Sequence, residues 1–495
     1  METMNPSSPA KGVGLGAVVR EGGLPLAAIV MVALIARFIA LNSDYWADEI
    51  FSLLMSFRLP IGEVVTTYIG DNHHPLYSIF ARASLVAFGE SPWALRLPAV
   101  VFGAAAVPAT YAVARLVASR IEALMASLLL AVSYHHVWFS QNARGYTLSG
   151  LLALLSTWAL VRMLERGSWR LAWAFALCAA LAAYAHLTMV FVAVGQAIAA
   201  AIVIARPEGG TRRIDWRVPA SAFVLAAMLT LLFYAPMLNQ VLQFFLHQPS
   251  DLVEKSTPAW ALREGIRVLL LGVGGAGVVL AAVVLAAGAA AGALGLAAIF
   301  RTNRSAALAF VLPPLVVFGG ALMGRGTMYP RFFFFAAGTA VIVFVRGLFA
   351  SAEFLRRRWT RLPAPAIATA CFAIAVGASA ASLRYNYRYP KQDFTGAMRY
   401  VLATKTPDDV VGFAGVPHDP YPAVYGQNWP TISNVGEINA LRQRGRTWLI
   451  YTFPRYLGVG APELSAIVER ECQTRAVFRG TVGGGDMIIC TFEPA

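Results

Sequence analysis

The chain has 495 residues, of which 58% are hydrophobic and only 13% are charged, with a mean hydropathy of +0.61. Soluble domains carry about 25% charged residues, so the composition excludes an ordinary soluble protein and indicates a polytopic membrane protein. The formal net charge of +14 would suggest nucleic-acid binding in a soluble protein. Here the arginines lie mostly in short loops between apolar runs, so orientation in the membrane explains them without nucleic acid.

Eleven apolar runs are interpreted as membrane spans, because a span needs about 20 apolar residues. Basic loops on both sides of the uncharged run 171–205 require two spans there, and the same argument favours one span, with a Gly-rich entry, in the uncharged run 268–300. The predicted spans lie near 24–41, 97–114, 123–140, 145–161, 171–185, 188–205, 218–236, 274–300, 305–323, 332–350 and 364–382.

The arginine clusters occur in alternate loops, which the positive-inside rule assigns to the cytoplasm. The N-terminus is then cytoplasmic, and the residues after about 384 are extracytoplasmic. The first outer loop, 42–96, contains the run HHPLYSIFARASLVAFG, which is short and is interrupted by Arg82. We interpret that run as an amphipathic helix in the membrane interface, because a span there would place every later arginine cluster outside.

The C-terminal part, 384–495, has the composition of a small globular domain. Segments 408–415, 446–453 and 487–492 are predicted strands, and segments 394–404 and 462–471 are predicted helices, the first capped by Asp393. This alternation indicates an α/β domain without a nucleotide-binding fingerprint. Cys472 and Cys490 can pair if the domain is extracytoplasmic, although their spacing alone does not decide this.

Carboxylates follow the first span, in the segment LNSDYWADEIFS. A carboxylate at the outer mouth of a helical bundle can deprotonate an acceptor hydroxyl or hold a metal, so Asp48 and Glu49 are catalytic candidates. The alternative is that both only favour the first turn of a helix. Adjacent residues do not share a helix face, so if Asp48 enters the site, Glu49 points to a backbone amide or a cation. Asp44 is better explained as a cap.

Basic and polar candidates lie on the other outer segments. In DNHHPLY, Asp71, His73 and His74 have a loose spacing for a metal, and a histidine bound to phosphate explains them at least as well. In SQNARGYTL, an anionic ligand would satisfy Arg144, which lies near other polar residues of the same turn. Arginines on the outer face are not explained by topology, and an anionic ligand or contact with lipid headgroups would account for them. His186 is explained equally by substrate contact or by simple interfacial hydrogen bonding. The candidates of these segments are Gln141, Arg144, Tyr146, His186, Arg325 and Arg331.

All these groups lie at one predicted depth. Carboxylates on one outer loop, with arginines and histidines on others, suit an anionic donor whose leaving group is a phosphate and an acceptor hydroxyl that needs a base. The absence of a nucleotide-binding motif favours a donor lipid that is already in the membrane.

Four motifs, in order, resemble the dolichyl-phosphate-mannose protein mannosyltransferases and the bacterial lipid A aminoarabinose transferases, which are membrane glycosyltransferases of the GT-C fold. They are WADEIFS, DNHHPLY with its continuation FGESPWALRLPAVVFG, SQNARGYTL and YPRFFF. The resemblance covers about the first 200 residues and recurs at 325–335. It implies a GT-C-like catalytic module, 1–383, followed by the C-terminal domain, 384–495, whose sequence matches neither enzyme.

The resemblance also implies a function and residue roles. The chain is expected to transfer a hexosyl or pentosyl sugar, with inversion, from a polyprenyl-phosphate donor to an envelope glycan, lipid or protein outside the plasma membrane. Asp48 matches the proposed base with Glu49 beside it, and the substrate-binding positions are His73, His74, Tyr77, Gln141, Arg144, Tyr146, His186, Arg325, Tyr329 and Arg331. His74 replaces a proline of the family motif, and Phe332 replaces a common tyrosine.

Three questions stay open from the sequence. Carboxylates could hold Mg²⁺ or Mn²⁺ against the phosphate, although no metal ligand is assigned. A polyprenyl-lipid transporter would use the same arginines, but it should show inverted repeats and charges near mid-membrane, and neither is evident. A catalytically inactive envelope-assembly partner is the third alternative, against which the retained Asp48 and Glu49 argue only weakly.

Overall fold

The structure is a computed structural model that describes residues 14–70, 73–206, 215–247, 263, 266–267, 278–323, 329–359, 363–416 and 418–494. Asp71, Arg325 and the Gly-rich entry to the predicted span 274–300 lie outside the described residues.

The first half of the chain is helical, and its helices begin at clear signals. Helix α6 has a capping box, in which Ser119 Oγ accepts from the backbone N–H of Glu122 and Glu122 Oε2 accepts from that of Ser119. The helices are α1 (Leu15–Phe38), α2 (Ala47–Ser52), α3 (Ile61–Thr66), α4 (Pro75–Phe88), α5 (Pro92–Ala114), α6 (Arg120–Ala131), α7 (Tyr134–Ser140), α8 (Tyr146–Arg166), α9 (Trp169–Ala185), α10 (Met189–Ala205), α11 (Arg217–Tyr234) and α12 (Leu238–His247).

The remaining membrane helices are α13 (Val278–Thr302), α14 (Arg304–Met323), α15 (Ala337–Arg358), which follows a 3₁₀ helix at Pro330–Ala336, and α16 (Ala364–Arg388). Helices α13 and α15 approach closely, because a Cβ at Gly295 would collide with the backbone of Val343 and Gly347. Small residues allow such contacts between helices in lipid, where apolar side chains gain little by leaving the solvent.

The described residues of the eleven predicted spans are mostly helical, with the span 123–140 divided between α6 and α7, but the count of eleven is not confirmed. In the described part of the chain, seven helices are long and apolar enough to cross a membrane, or eight if α6 and α7, bent by 57°, are one span. Helices α9, α10 and much of α14 are apolar but shorter. Helix α4 is also short, and it confirms that the outer loop contains a helix. Helix α8 is central, with 89% of its most apolar window buried against 22% for α1.

The C-terminal domain has a four-stranded mixed sheet, which confirms the predicted α/β class. Strands β1 and β2 are parallel, whereas β4 is antiparallel to both β2 and β3, in the order β1-β2-β4-β3. Its elements are α17 (Phe394–Thr404), β1 (Val410–Ala414), α18 (Pro420–Val424), α19 (Val435–Arg442), β2 (Thr447–Tyr451), α20 (Pro454–Gly460), α21 (Pro462–Glu471), β3 (Gln473–Phe478) and β4 (Met487–Phe492).

Details of this domain agree with the sequence signals. The Asp393 carboxylate accepts from the N–H of Gly396 at 2.7 Å and so caps α17 as predicted. Cys472 and Cys490 form a disulfide between the end of α21 and β4. The domain also shares one hydrophobic cluster with the first outer loop, because Ile50 and Leu53 belong to the same buried group as Phe394. This contact fixes the domain against the segment that carries Asp48.

Candidate active site

The carboxylate of Asp48 lies between two arginines from distant parts of the chain. Its Oδ2 is 3.3 Å from Nη1 of Arg331 and 3.7 Å from Nη1 of Arg144. Asp48 is in the first turn of α2, Arg144 is in the turn between α7 and α8, and Arg331 is in the 3₁₀ helix before α15. The structure therefore brings together three residues that the sequence assigned to one site on three separate outer segments.

The two arginines differ in their environment. The side chain of Arg144 is only 1% exposed, and its Nη1 also lies 3.3 Å from Ser52 Oγ. That of Arg331 is 28% exposed, and its guanidinium lies over the ring of Tyr329, 4.2 Å from the centroid. Asp48, at 22% exposed, remains accessible between them. A cationic site with one accessible carboxylate suits a reaction that needs both a base and an anion-binding group.

Glu49 points away from this site towards a cation and backbone amides, as the sequence predicts for the case in which Asp48 enters the site, and its candidate role as a second catalytic carboxylate is corrected. It is fully buried and forms a two-pronged ion pair with Arg96, at 2.6 Å to Nη2 and 2.9 Å to Nε. Its oxygens also accept from the backbone N–H groups of Ala143, at 2.7 Å, and Trp46, at 3.3 Å. Four hydrogen bonds occupy the acceptor positions of this carboxylate, so its role here is to hold the loop together.

The charge of Glu49 is maintained in spite of burial. Burial alone would raise the pKa of this carboxyl, but the charge and hydrogen bonds of Arg96, helped by Lys391 and the Ala143 N–H, hold the pKa below its usual value. An ionised group in this position binds the start of α2 to α5 and to the turn before α8, and Asp48 is the next residue along the same helix.

Three histidines lie beside the two arginines. The ring of His74 is 4.9 Å from that of His186 and 5.3 Å from that of Tyr146, measured between centroids. His74 Nδ1 donates to the carbonyl of Ala185 at 3.0 Å, which fixes its tautomer. Both ring nitrogens of the neighbouring His73 are buried and have no hydrogen-bond partner among the residues that the structure describes.

These histidines are neutral at pH 7. Burial, followed by the positive charge of Arg144, lowers the pKa of His73 to about 4 and that of His186 to about 3. The same two causes lower the pKa of His74 well below its usual value. An anion bound beside Arg144 would oppose the second cause, so these rings are suited to respond to a negatively charged ligand.

Two predicted substrate-binding residues are used elsewhere. Tyr77 is fully buried, and its hydroxyl donates to the carbonyl of Leu95 at 2.7 Å, which joins α4 to α5. Gln141 donates to the carbonyl of Arg37 at 2.9 Å and accepts from Asn386 at 2.7 Å, which ties α1 to α16. Both assignments are corrected to structural roles, because these polar groups are satisfied inside the protein.

Of the remaining predicted residues, Tyr146 and Tyr329 lie at the site, and one lies outside the described residues. Tyr146 is buried against both histidine rings, His74 and His186, and Tyr329 packs on Arg331. A small cavity connects this group, lined by Tyr146, His186 and Arg331 together with Phe332. The aromatic ring of Phe332 lies 5.6 Å from His186, where the related motif often has tyrosine. Arg325 lies outside the described residues.

Sequence reasoning missed three buried polar residues near the site. Arg96 holds Glu49 and also donates to the carbonyls of Leu41, Ser43 and Asp44. Gln392, from the segment after α16, reaches the first outer loop at Ala47, and its neighbour Lys391 reaches the turn before α8 at Gln141. Arg96 stands alone among charges at the outer end of an apolar run, which is a signal that could have identified it.

The described residues do not fit a divalent metal. No group of three or more His, Cys, Asp or Glu side chains in the described ranges is arranged to hold an ion. Asp48 is faced by the two guanidinium groups of Arg144 and Arg331, which would repel a cation, and Glu49 is taken by Arg96. The chemistry of Asp48 is therefore derived without a metal.

Known proteins match this chain in two ways. Residues 72–238 match the family model for dolichyl-phosphate-mannose-protein mannosyltransferase. The apo crystal structure of ArnT from Cupriavidus metallidurans has a TM-score of 0.55 at 14% identity, covering 94% of this chain and 97% of ArnT. The oligosaccharyltransferase of Archaeoglobus fulgidus, in complex with Zn and sulfate, has a TM-score of 0.56 at 12% identity, covering 93% and 72%. No curated protein sequence matches the chain.

These matches define the class of protein. The chain has the GT-C fold of membrane glycosyltransferases, with a small C-terminal α/β domain, and the resemblance seen in its motifs is confirmed. The family match begins at Asn72, and it covers NHHPLY, SQNARGYTL and His186, which together carry the three histidines and Arg144 of the site.

Proposed function

We propose that the protein is an integral membrane glycosyltransferase that moves a sugar from a polyprenyl-phosphate donor to a hydroxyl of an envelope glycan, lipid or protein. The observation that carries this proposal is the accessible carboxylate of Asp48 between Arg144 and Arg331, with neutral histidines beside them. The matched family, whose name specifies a dolichyl-phosphate-linked mannose, supports a lipid-phosphate donor. A hexosyl or pentosyl group fits this donor class.

Asp48 acts as the base in the proposed reaction. It takes the proton of the acceptor hydroxyl while that oxygen attacks the anomeric carbon. The bond between the anomeric carbon and the phosphate oxygen breaks, and its electron pair leaves with the polyprenyl phosphate. Attack from the side opposite the leaving group inverts the anomeric centre.

The arginines stabilise the leaving group. A guanidinium carries five N–H donors in a plane, so Arg144 and Arg331 can serve the Asp48 carboxylate and a phosphate in one arrangement. Donors fixed in advance where charge develops contribute about 3–4 kcal/mol each in comparable sites. His73, His74 and His186 contribute ring nitrogens at the same place, and Tyr146 and Tyr329 pack beside the cationic groups.

The location of this reaction is proposed to be the outer face of the plasma membrane. The arginine clusters at 115–120, 162–170, 301–304 and 346–358 lie in loops or helix ends opposite to the site, which the positive-inside rule assigns to the cytoplasm. The Cys472–Cys490 disulfide in the C-terminal domain supports an oxidising compartment. We therefore assign 1–383 as the catalytic module and 384–495 as an extracytoplasmic domain.

Turnover by purified protein tests the proposal. The protein in nanodiscs is incubated with a panel of polyprenyl-phosphate sugars and envelope extract, and released polyprenyl phosphate is measured by mass spectrometry. We expect release with one donor, and a loss of about 10²- to 10⁴-fold in Asp48→Asn. Asp408→Asn, an exposed site in the C-terminal domain, is the matched control.

Two results would contradict the proposal in different ways. Full activity in Asp48→Asn would remove Asp48 as the base and leave the enzyme class intact. No release from any donor, combined with tight binding of the lipid, would overturn the enzyme and favour a transporter of polyprenyl-linked lipids.

A further inference from the structure

The segment 391–395, which links α16 to the C-terminal domain, contacts the residues that immediately precede Asp48. We refer to it as the junction segment. Its contacts with the first outer loop span about 350 positions of sequence, so nothing in the local pattern of either segment indicates them. They bear on the site because Asp48 lies in the first turn of α2, which together with the π-helical turn Leu53–Phe57 that continues it forms only a short helical segment.

Gln392 makes the most direct of these contacts. Its side chain is completely buried, and Oε1 accepts from the backbone N–H of Ala47, the first residue of α2, at 2.7 Å. Its Nε2 donates to Thr452 Oγ1 at 2.8 Å, at the end of strand β2. The first N–H groups of a helix have no partner within the helix, so an external acceptor here fixes where α2 begins.

Thr395 and Lys391, on either side of Gln392 in the junction segment, make further contacts. Both oxygens of Asp44 accept from Thr395, at 2.6 Å from the backbone N–H and 2.7 Å from the hydroxyl. Lys391 donates to the carbonyl of Gln141 and lies over the ring of Trp138, 5.0 Å from its centroid. The junction segment therefore holds the outer loop on one side and the turn before Arg144 on the other.

The short helix needs this support. Isolated helices shorter than about 12 residues are marginal in water, because nucleation costs more than so few hydrogen bonds return, and α2 with its π-helical continuation ends at Phe57. The position of Asp48 relative to Arg144 and Arg331 thus depends on contacts made by α2 with other parts of the chain. Glu49 supplies one through Arg96, and Gln392 supplies another through the sheet of the C-terminal domain.

We propose that Gln392 is a positioning residue for Asp48, through which the C-terminal domain sets the geometry of the catalytic carboxylate by accepting the N–H of Ala47. The inference rests on the proposed function, since it assigns Asp48 as the base. Gln392 touches neither substrate nor reacting atoms in this scheme. The C-terminal domain then contributes to catalysis indirectly, by holding Asp48 in place, and this part is separate from any part in acceptor binding.

The test compares two substitutions of similar size at one position. Gln392→Met keeps the length of the side chain and removes both hydrogen-bonding groups. Gln392→Glu keeps an acceptor for Ala47, and the hydroxyl of Thr452 can rotate to donate to it. Gln443→Met, at an exposed position of the same domain, controls for the chemical change alone.

Steady-state turnover is the first measurement. We expect Gln392→Met to lower kcat by about 10- to 100-fold, the range for a misplaced catalytic group, with KM for the donor unchanged. Gln392→Glu should restore most of kcat, and Gln443→Met should match wild type. A rise in KM for the donor together with the fall in kcat would indicate general loosening of the fold and overturn the assignment. The absence of rescue by glutamate would overturn it in the same way.

Hydrogen exchange provides a measurement that does not need activity. Amides 47–50 should exchange several-fold faster in Gln392→Met than in wild type, while those of helix α8 stay protected. Equal exchange in both proteins would overturn the inference even if the enzyme is active. Faster exchange in a protein without transferase activity would support the contact and contradict only the proposed function.

Discussion

At the scale of single residues, Asp48 and Glu49 show how neighbours in sequence acquire separate roles. Consecutive helical residues point about 100° apart, so one carboxylate turns to Arg144 and Arg331 and the other to Arg96. The first remains accessible, whereas the second is saturated with hydrogen bonds. Two adjacent carboxylates in the sequence therefore predicted a reactive group. Which of the two carboxylates is reactive became clear only from the positions of three arginines.

His73 leads to a prediction about pH. Its pKa of about 4 leaves it neutral in the free protein, and a bound phosphate beside Arg144 should raise that pKa. Binding then takes up a proton, so the affinity for polyprenyl phosphate should rise as the pH falls from 7.5 towards 5.5. If binding takes up one full proton, the affinity rises about tenfold for each unit by which the pH falls.

Calorimetric titration over this range checks the prediction. The slope for wild type should exceed that for His73→Asn, while His247→Asn, at an exposed position on α12, should retain the wild-type slope. Protonation of the phosphate itself is common to all three proteins and cancels in the comparison. Identical slopes for wild type and His73→Asn would show that this histidine does not respond to the ligand.

At the scale of elements, the site depends on short segments packed closely at helix ends. Gly145 begins helix α8, and a Cβ there would lie 2.6 Å from the carbonyl oxygen of Ala185 and 2.9 Å from Nδ1 of His74. These two atoms form the hydrogen bond that orients His74. The absence of a side chain at one position thus allows three outer segments to meet.

Gly145→Ala should therefore disturb both the site and the fold. The methyl group meets a backbone carbonyl that cannot move without its helix, so we expect a destabilisation of about 1–3 kcal/mol and a loss of donor binding. Thermal unfolding in detergent and lipid binding measure the two effects. Gly319→Ala, on α14, meets nothing within 4 Å and should be close to wild type. A Gly145→Ala protein as stable as this control would mean that the contact relaxes freely.

At the scale of the whole molecule, the outer loops and the C-terminal domain form a single layer on one side of the bundle. The domain shares a hydrophobic cluster with the first outer loop, through Ile50, Leu53 and Phe394, and the junction segment binds the same loop. The domain therefore contacts both the segment that carries Asp48 and the turn that precedes Arg144.

Orientation can be tested with single cysteines, in a protein whose two free native cysteines are replaced by alanine. Gln443→Cys lies on the C-terminal domain, and Arg166→Cys lies at the end of α8 on the opposite side; both positions are exposed. In intact spheroplasts, a membrane-impermeant maleimide should label the first but not the second. Permeabilisation should make the second reactive. Labelling in the reverse order would place the site in the cytoplasm and contradict the proposed location.

Several features followed from the sequence alone, because they depend on local patterns. Runs of apolar residues located the seven helices of the described part of the chain that are long and apolar enough to cross a membrane, since hydropathy needs only the neighbours along the chain. The cap at Asp393 and the strands β1, β2 and β4 followed from short-range signals of the same kind, whereas the more polar strand β3 did not. Position and residue type singled out Asp48, Arg144 and Arg331, and motif resemblance added the GT-C fold and the roles expected of these residues.

Tertiary structure decided what each polar group contacts. Glu49 finds Arg96 across 47 positions and Gln392 finds Ala47 across 345, and no periodicity connects segments so far apart. Tyr77 and Gln141 match a binding pattern in the sequence, but in the structure Tyr77 bonds Leu95 on α5, and Gln141 bonds Arg37 on α1 and Asn386 on α16. A buried polar group must be paired wherever the packing places it, so its partner is determined by the arrangement of the helices rather than by the residues beside it.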